Sequence, residues 1–92
     1  MFSGIIQAHG KISKLSKSKD FLSIEIQSNL KGYKIGSSIC CSGICLTVIK
    51  KTKNSFSVNI SEETLQVTTA INWKKGTLIN LEKSLKVGDE IA

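Results

Sequence analysis

Two side chains near the middle of the chain have the chemistry to hold a small polar molecule. Cys45 and Thr47 follow a Ser-Gly dipeptide, which is typical of a turn. The residues around them are small, apolar or β-branched, which favours a strand whose side chains alternate between two faces. If the apolar Leu46 and Val48 face the core, Cys45 and Thr47 place a thiol and a hydroxyl side by side on the outer face. The alternative is a half-buried hairpin in which these residue types merely suit a pleated surface.

A second polar segment, Ser-Glu-Glu-Thr-Leu from residue 61, predicts a short helix. Serine is a favourable N-cap, and two acids in the first turn suit the positive end of the helix dipole. We predict a helix from Glu62 to about Thr68, with Leu65 and Val67 on its buried side. The first backbone N–H groups of such a helix can donate to an acceptor-rich ligand. The alternative is a capped connector without a ligand.

Short strands joined by turns must position these two segments. Between residues 21 and 27, Leu22, Ile24 and Ile26 alternate with polar residues, which is the pattern of a half-buried strand. The predicted strands are Gly4 to about Ser16 with a bulge at Gly10, Phe21 to Gln27, Ser38 to Cys41, Ile44 to about Lys51, Phe56 to Ile60, and a strand through Asn80, Leu81 and Glu82. Such spacing predicts a small antiparallel barrel or sandwich, and closure into a barrel would remove exposed edges.

A weak repeat, Lys-x-Gly-x-x-Ile, begins at Lys34, Lys74 and Lys86. Each copy predicts a glycine turn that leads into a strand. The third strand would only have begun when the sequence ends at Ala92. We therefore expect that the chain was cut from something longer.

Length and composition indicate one globular domain. The chain has 92 residues, of which 40% are hydrophobic and 22% charged, and no apolar run approaches the roughly 18 residues of a membrane span. The N-terminus lacks the basic and long apolar regions of a signal peptide, so we expect a cytoplasmic protein without a membrane partner. Three cysteines cannot form a closed disulfide framework, and their positions make a zinc site improbable, so reduced thiols are expected.

The formal net charge of +6 raises the question of nucleic-acid binding. All thirteen basic residues are lysine, which cannot reproduce the bidentate contacts of arginine. The five aromatic residues are scattered rather than grouped for base stacking. The lysines therefore indicate a solvated surface with, at most, a modest attraction for a small anion.

An ordered set of motifs resembles riboflavin synthase over essentially the whole chain. The segments are Met1 to Ile6, Ser42 to Val48, Ser61 to Leu65 followed by Thr68-Thr69, Gly76 to Glu82, and Leu85 to Asp89. The resemblance is to the N-terminal one of two similar halves. It implies an all-β fold, a six-stranded antiparallel Greek-key barrel with one short helix, in which residues 1–92 form a single lumazine-binding domain.

The resemblance also implies a reaction and an assembly. Riboflavin synthase transfers a four-carbon unit between two molecules of 6,7-dimethyl-8-ribityllumazine, which gives riboflavin and 5-amino-6-ribitylamino-pyrimidinedione. The family uses neither a metal nor an organic cofactor. Its enzyme is a homotrimer, and each active site lies between the N-terminal barrel of one subunit and the C-terminal barrel of another.

Carried onto this sequence, the family's ligand segments name the expected site residues. The expected substrate-binding residues are Gly4, Ile5, Ile6, Cys45, Leu46, Thr47, Ile60, Ser61, Glu62, Glu63, Thr64 and Leu65. The catalytic residues stay open, with Phe2, Ser38 and Cys45 as candidates. The Ser42 position usually carries Asn in the family, which is a minor departure.

Two further departures bear on activity and assembly. The family's Gly-Gly-His segment, expected just after Ala92, and the second barrel are absent. We therefore expect ligand binding with little or no turnover by this chain alone. We also expect a dimer through an apolar rim that includes Phe2, Ile5 and Ile6. Two alternatives remain, a non-catalytic lumazine or flavin carrier and, from another class, an RNA-binding barrel.

Overall fold

Strands dominate the computed structural model, which describes residues 8–83. The described elements are β1 (Ala8–Lys17), β2 (Phe21–Gln27), β3 (Ser38–Cys41), β4 (Ile44–Lys51), β5 (Ser55–Ser61), α1 (Glu62–Val67), a 3₁₀ helix (Thr69–Asn72) and β6 (Leu78–Lys83). The predicted strands from residue 21 onward agree with these within two residues at each end. Of the first predicted strand, residues 4–7 lie outside the described residues.

All strand pairs are antiparallel, and the sheet closes on itself in the order β1-β2-β5-β4-β3-β6. Two consecutive hairpins join β3, β4 and β5, and β6 returns to lie beside β3, which is a Greek key. The predicted six-stranded barrel with one short helix is confirmed, and a sandwich is not what the chain forms.

The core fills the barrel because apolar residues alternate along each strand. Ile24 and Ile26 of β2 face Val58 and Phe56 of β5 in register, and all four side chains are buried. The buried apolar residues are Ile12, Ile24, Ile26, Leu30, Tyr33, Ile39, Cys41, Leu46, Val48, Phe56, Val58, Ile60, Leu65, Ala70, Ile79 and Leu81. Their alternation fixes which side chains of each strand point outward.

The loop between β2 and β3 closes one end of the barrel with an aromatic contact. The ring of Tyr33 meets the ring of Phe56 edge to face, with the centroids 5.4 Å apart. Lys51 holds the loop from outside, because its Nζ donates to the Tyr33 carbonyl at 2.6 Å and lies 4.5 Å from the ring centroid. Local pattern does not predict this contact, since it joins residues distant in sequence.

The predicted short helix is present at the opposite end as α1, but its buried side differs from expectation. Helix α1 ends at Val67, and the Val67 side chain is 78% exposed rather than buried. Thr68 has extended backbone angles, and its hydroxyl accepts a hydrogen bond from the Ala70 N–H, which begins the 3₁₀ helix. Because this second cap redirects the chain, Ala70 rather than Val67 joins Leu65 in the core.

The irregularity in β1 lies at Ser13 and not at Gly10, so the predicted bulge at Gly10 is wrong. The β1–β2 register shifts between Ile12 and Lys14, and the Ser13 hydroxyl donates to a Glu25 carboxylate oxygen at 2.8 Å. Gly10 instead permits close packing: a Cβ there would lie 2.6 Å from Cγ2 of Ile26.

Gly10→Ala should destabilise the barrel by about 1–3 kcal/mol, because the new methyl group would overlap a β-branched side chain anchored close to the backbone. Urea unfolding followed by circular dichroism measures the loss. His9→Ala is the matched control on the same strand, since His9 is exposed. Equal midpoints for the two variants would contradict the steric role of Gly10.

Candidate functional site

The turn between β3 and β4 sets the geometry of the candidate site. Ser42 and Gly43 have φ angles of 49° and 91°, and a two-residue hairpin with two positive φ angles has the type I′ turn that matches strand twist. The turn is fastened to β6, because the Ser42 N–H donates to the Asn80 carbonyl at 2.8 Å and the Asn80 N–H donates to the Ser42 hydroxyl at 3.0 Å. The hairpin register is thereby fixed.

That register brings small polar side chains onto the outer surface of the hairpin, among them those of Ser38, Cys45 and Thr47. Thr47 lies directly opposite Ser38, and Cys45 lies two residues from Thr47 on the same face. Cys45 and Thr47 are exposed, whereas Leu46 and Val48 are 7% and 1% exposed. The predicted division between inner and outer side chains is confirmed. We call Ser38, Cys45 and Thr47 the polar face.

The pairing between β4 and β5 ends beside the polar face, and we call this unpaired stretch of the wall the opening. Their pairing reaches Val48 opposite Val58 and does not continue toward the beginning of β4. Meanwhile β5 stays paired with β2 as far as Ser61. Among residues 8–83 no other strand pairs with this part of β4 on that side. Helix α1 starts where β5 ends, so the opening is bounded by the polar face and the beginning of α1.

The start of α1 is more fully hydrogen-bonded than the sequence suggested. The Ser61 hydroxyl accepts from the Thr64 N–H at 3.2 Å, as expected of an N-cap. The Glu62 N–H donates to the Asp20 carbonyl, also at 3.2 Å. Of the first three N–H groups of the helix, only that of Glu63 has no partner among residues 8–83. The helix therefore offers fewer donors than a bare N-terminus would.

Glu62 ties α1 to the end of β1. Its carboxylate accepts hydrogen bonds from the Lys17 ammonium and, at 3.1 Å, from the Gln66 amide. The hydrogen bond and charge of Lys17 and the hydrogen bond of Gln66 lower the pKa of Glu62 below its ordinary value. This carboxylate is engaged in holding the helix in place.

The other expected residues fall into three groups. Leu46, Ile60 and Leu65 belong to the core, where they are 7%, 0% and 5% exposed. Glu63 is exposed and Thr64 is half-buried. Phe2, Gly4, Ile5 and Ile6 lie outside the described residues.

Asn59 borders the same opening and was not among the expected site residues. It is exposed on the outer face of β5, where its Oδ1 accepts a 2.6 Å hydrogen bond from the Ser23 hydroxyl. Extending the β4–β5 register past its last pair would bring Asn59 opposite Thr47. The alternation of Phe56, Val58 and Ile60 is the signal that could have located it.

Burial raises the pKa of two cysteine thiols, those of Cys40 and Cys41. Burial raises the pKa of Cys41 to about 12. The pKa of Cys40 is also raised, first by burial and then by the charges of Glu82 and Cys45. Within residues 8–83 no three His, Cys, Asp or Glu side chains are grouped to hold a metal ion, and no helix is long and apolar enough to cross a membrane.

Comparison with known proteins agrees with this architecture. The family described as "Lumazine binding domain" matches residues 3–84. Riboflavin synthase of Brucella abortus is 42% identical over 98 aligned positions, which cover 99% of this chain and 48% of the relative. Riboflavin synthase of Photobacterium phosphoreum is 47% identical over 88 positions, covering 92% of this chain and 40% of the relative.

The closed barrel with its short helix is thus a lumazine-binding fold, and the chain belongs to the lumazine-binding domain family. Its relatives carry the name of an enzyme, riboflavin synthase, and the chain spans about half their length. The resemblance to riboflavin synthase read from the ordered motifs is confirmed.

Lys17→Gln should raise the pKa of Glu62 toward its ordinary value, because the main hydrogen bond and charge that lower it would be removed. A depressed pKa in the folded state contributes stability above the unfolded-state pKa, and this contribution is lost as the pH falls through the folded-state pKa. The wild type should therefore lose more stability than Lys17→Gln as the medium is acidified. NMR titration of the Glu62 side-chain carboxyl carbon measures the shift directly. Lys14→Gln, on the same strand, is the control and should leave that titration unchanged.

Proposed function

We propose that this chain binds 6,7-dimethyl-8-ribityllumazine and riboflavin at the opening between β4 and β5. The observation that carries the proposal is the polar face, where a thiol and two hydroxyls stand beside the opening. A flat heterocycle with several acceptor and donor atoms at its edge suits such a place, because a few positioned polar groups can fix its orientation.

In this proposal each part of the site has its own task. The hydroxyls of Thr47 and Ser38 form hydrogen bonds with the ring edge or the ribityl chain, and Asn59 offers its amide from the other side of the opening. The Glu63 N–H donates to a ring oxygen. The catalytic candidates are Cys45 and Ser38 among the described residues and Phe2 outside them, with Phe2 proposed to cover the ring.

Gly4, Ile5, Ile6, Ser61 and Thr64 complete the proposed binding set. Ser61 and Thr64 act mainly by shaping the start of α1, since their hydroxyls are hydrogen-bonded to each other at 3.0 Å. The core residues of the set, Leu46, Ile60 and Leu65, support the site from inside the barrel. Glu62 supports it through its contact with Lys17 at the end of β1.

The whole protein, in our proposal, is a riboflavin synthase in which this barrel is the N-terminal of two. It brings two lumazines together between unlike barrels of a homotrimer and works without a cofactor in the cytoplasm. Much of its rate comes from holding the two rings face to face, since correct orientation of reactants removes a large entropic barrier. Alone, the barrel binds ligand, turns it over slowly and pairs with a second copy of itself. The carrier alternative is not favoured, because the relatives are named as synthases.

Thr47→Val should weaken riboflavin binding by about 1 kcal/mol or more, because it keeps the side-chain shape and removes one hydrogen-bonding hydroxyl. Quenching of riboflavin fluorescence on titration with protein measures the affinity. Thr52→Val is the matched control, since Thr52 lies in the turn after β4 and its hydroxyl bonds to Ser55. Equal affinity of Thr47→Val and wild type would remove Thr47 from the site.

Residues 1–92 should form riboflavin from the lumazine at least about a hundredfold more slowly than a chain extended by the second barrel. The reason is that misalignment of about 1 Å can cost that much in rate. Riboflavin appearance by absorbance, at equal concentrations of the two proteins, gives the comparison. Similar rates would show that one barrel carries the chemistry.

A further inference from the structure

Cys40 and Cys45 occupy directly opposed positions on β3 and β4. Opposed residues of an antiparallel pair have Cα atoms about 4.5–5.5 Å apart. That interval lies within the roughly 4.4–6.8 Å that disulfides span. Cys45 is exposed and Cys40 is half-buried, whereas Cys41 lies on the opposite face of β3 and is 0% exposed. Two of the three thiols therefore form an adjacent pair at the surface.

The Cys40 and Cys45 thiols differ in their surroundings and therefore in their reactivity. Cys40 faces Glu82 of β6 on its other side, and the charges of Glu82 and Cys45 both disfavour its thiolate. A backbone hydrogen bond from Gly43 acts in the opposite sense on the same sulfur. Cys45 is the more exposed thiol, so it is the one that a dissolved reagent meets first.

We propose that Cys40 and Cys45 form a two-thiol site that a low-molecular-weight disulfide, such as oxidised glutathione, converts into an intramolecular disulfide. The Cys45 thiolate attacks one sulfur of the reagent, which breaks the reagent's S–S bond and expels one glutathione thiolate. The Cys40 thiolate then attacks Cys45 Sγ in the mixed disulfide and expels the second. Two protein thiols are oxidised, one disulfide is reduced to two thiols, and the two protons pass to the expelled thiolates.

The hairpin prepares this second step. The type I′ turn and the Ser42–Asn80 hydrogen bonds hold the strands in register before any reaction occurs. Because Cys40 is held beside Cys45, its attack on the mixed disulfide has a high effective concentration. Closure of the bridge therefore competes with release of glutathione to solvent. Because the loop that would be closed is very short, the bridge changes the local surface far more than the stability of the fold.

Mass spectrometry after incubation of the reduced protein with excess oxidised glutathione tests the proposal. The wild type should lose about 2 Da, the mass of two hydrogen atoms, and two thiols should become unreactive toward iodoacetamide in denaturant. Cys40→Ala should stop at a stable glutathione adduct on Cys45. Cys41→Ala is the matched control and should close as the wild type does.

A wild type that stops at the mixed disulfide would overturn the proposal, as would closure that depends on Cys41. Should Cys41→Ala fold poorly, peptide mapping of the oxidised wild type identifies the bridged pair directly. Phenylarsine oxide supplies a second measurement, because its arsenic binds two adjacent thiols with release of water. It should label the wild type about tenfold more tightly than Cys40→Ala, and equal labelling would contradict a paired site.

Closure should also weaken riboflavin binding, a consequence that rests on the proposed function. Cys45 stands beside Thr47 on the polar face, so turning its sulfur toward Cys40 alters the surface offered to the ring. The oxidised protein should bind riboflavin about fivefold more weakly than the reduced protein, a change reversed by dithiothreitol. Equal riboflavin binding by the oxidised and reduced proteins would show that the bridge does not affect the ligand site. Binding by neither form would refute the proposed function while leaving the mass-spectrometric result intact.

Discussion

The register of the β3–β4 hairpin is the constraint on which the rest of this site depends. A slip of one residue would send Cys45 and Thr47 into the core and bring Leu46 to the surface, since side chains alternate strictly along a strand. The type I′ turn prevents that slip, and Asn80 of β6 fastens it from the neighbouring strand. The core reinforces the same choice, because Ile39, Leu46 and Val48 are all buried in this register and a slip of one residue would reverse their faces.

The barrel satisfies two opposing requirements along β5. A closed sheet avoids exposed edges, yet a ligand needs an interruption in the wall. Here β5 stays paired with β2 over its whole length. Its pairing with β4 covers only residues 56–58, the half of β5 that lies away from α1. The interruption falls where α1 begins, and the contacts of Glu62 with Lys17 and of its N–H with Asp20 keep the helix at that border.

Much of the fold follows from local pattern, and the differences have two causes. Alternation located β2 and β5, and the Ser-Gly turn oriented Cys45 and Thr47 correctly. The exposure of Val67 follows from the second cap at Thr68, whereas the close packing at Gly10 depends on Ile26, a partner distant in sequence. The same holds for the contact between Tyr33 and Phe56. The proposed ligand rests on the resemblance to riboflavin synthase, because periodicity alone does not reveal a ligand.

The pairing of β1 with β6 has a consequence for the order of folding. Ala8 pairs with Leu81, so closing the wall brings together positions about 70 residues apart, at a high cost in chain entropy. The β3–β4 hairpin is local and incurs almost none of that cost. The segment that carries the polar face and the two thiols can thus reach its native arrangement while the barrel is still open. Cys40 and Cys45 can therefore face each other before β6 closes the wall against β1.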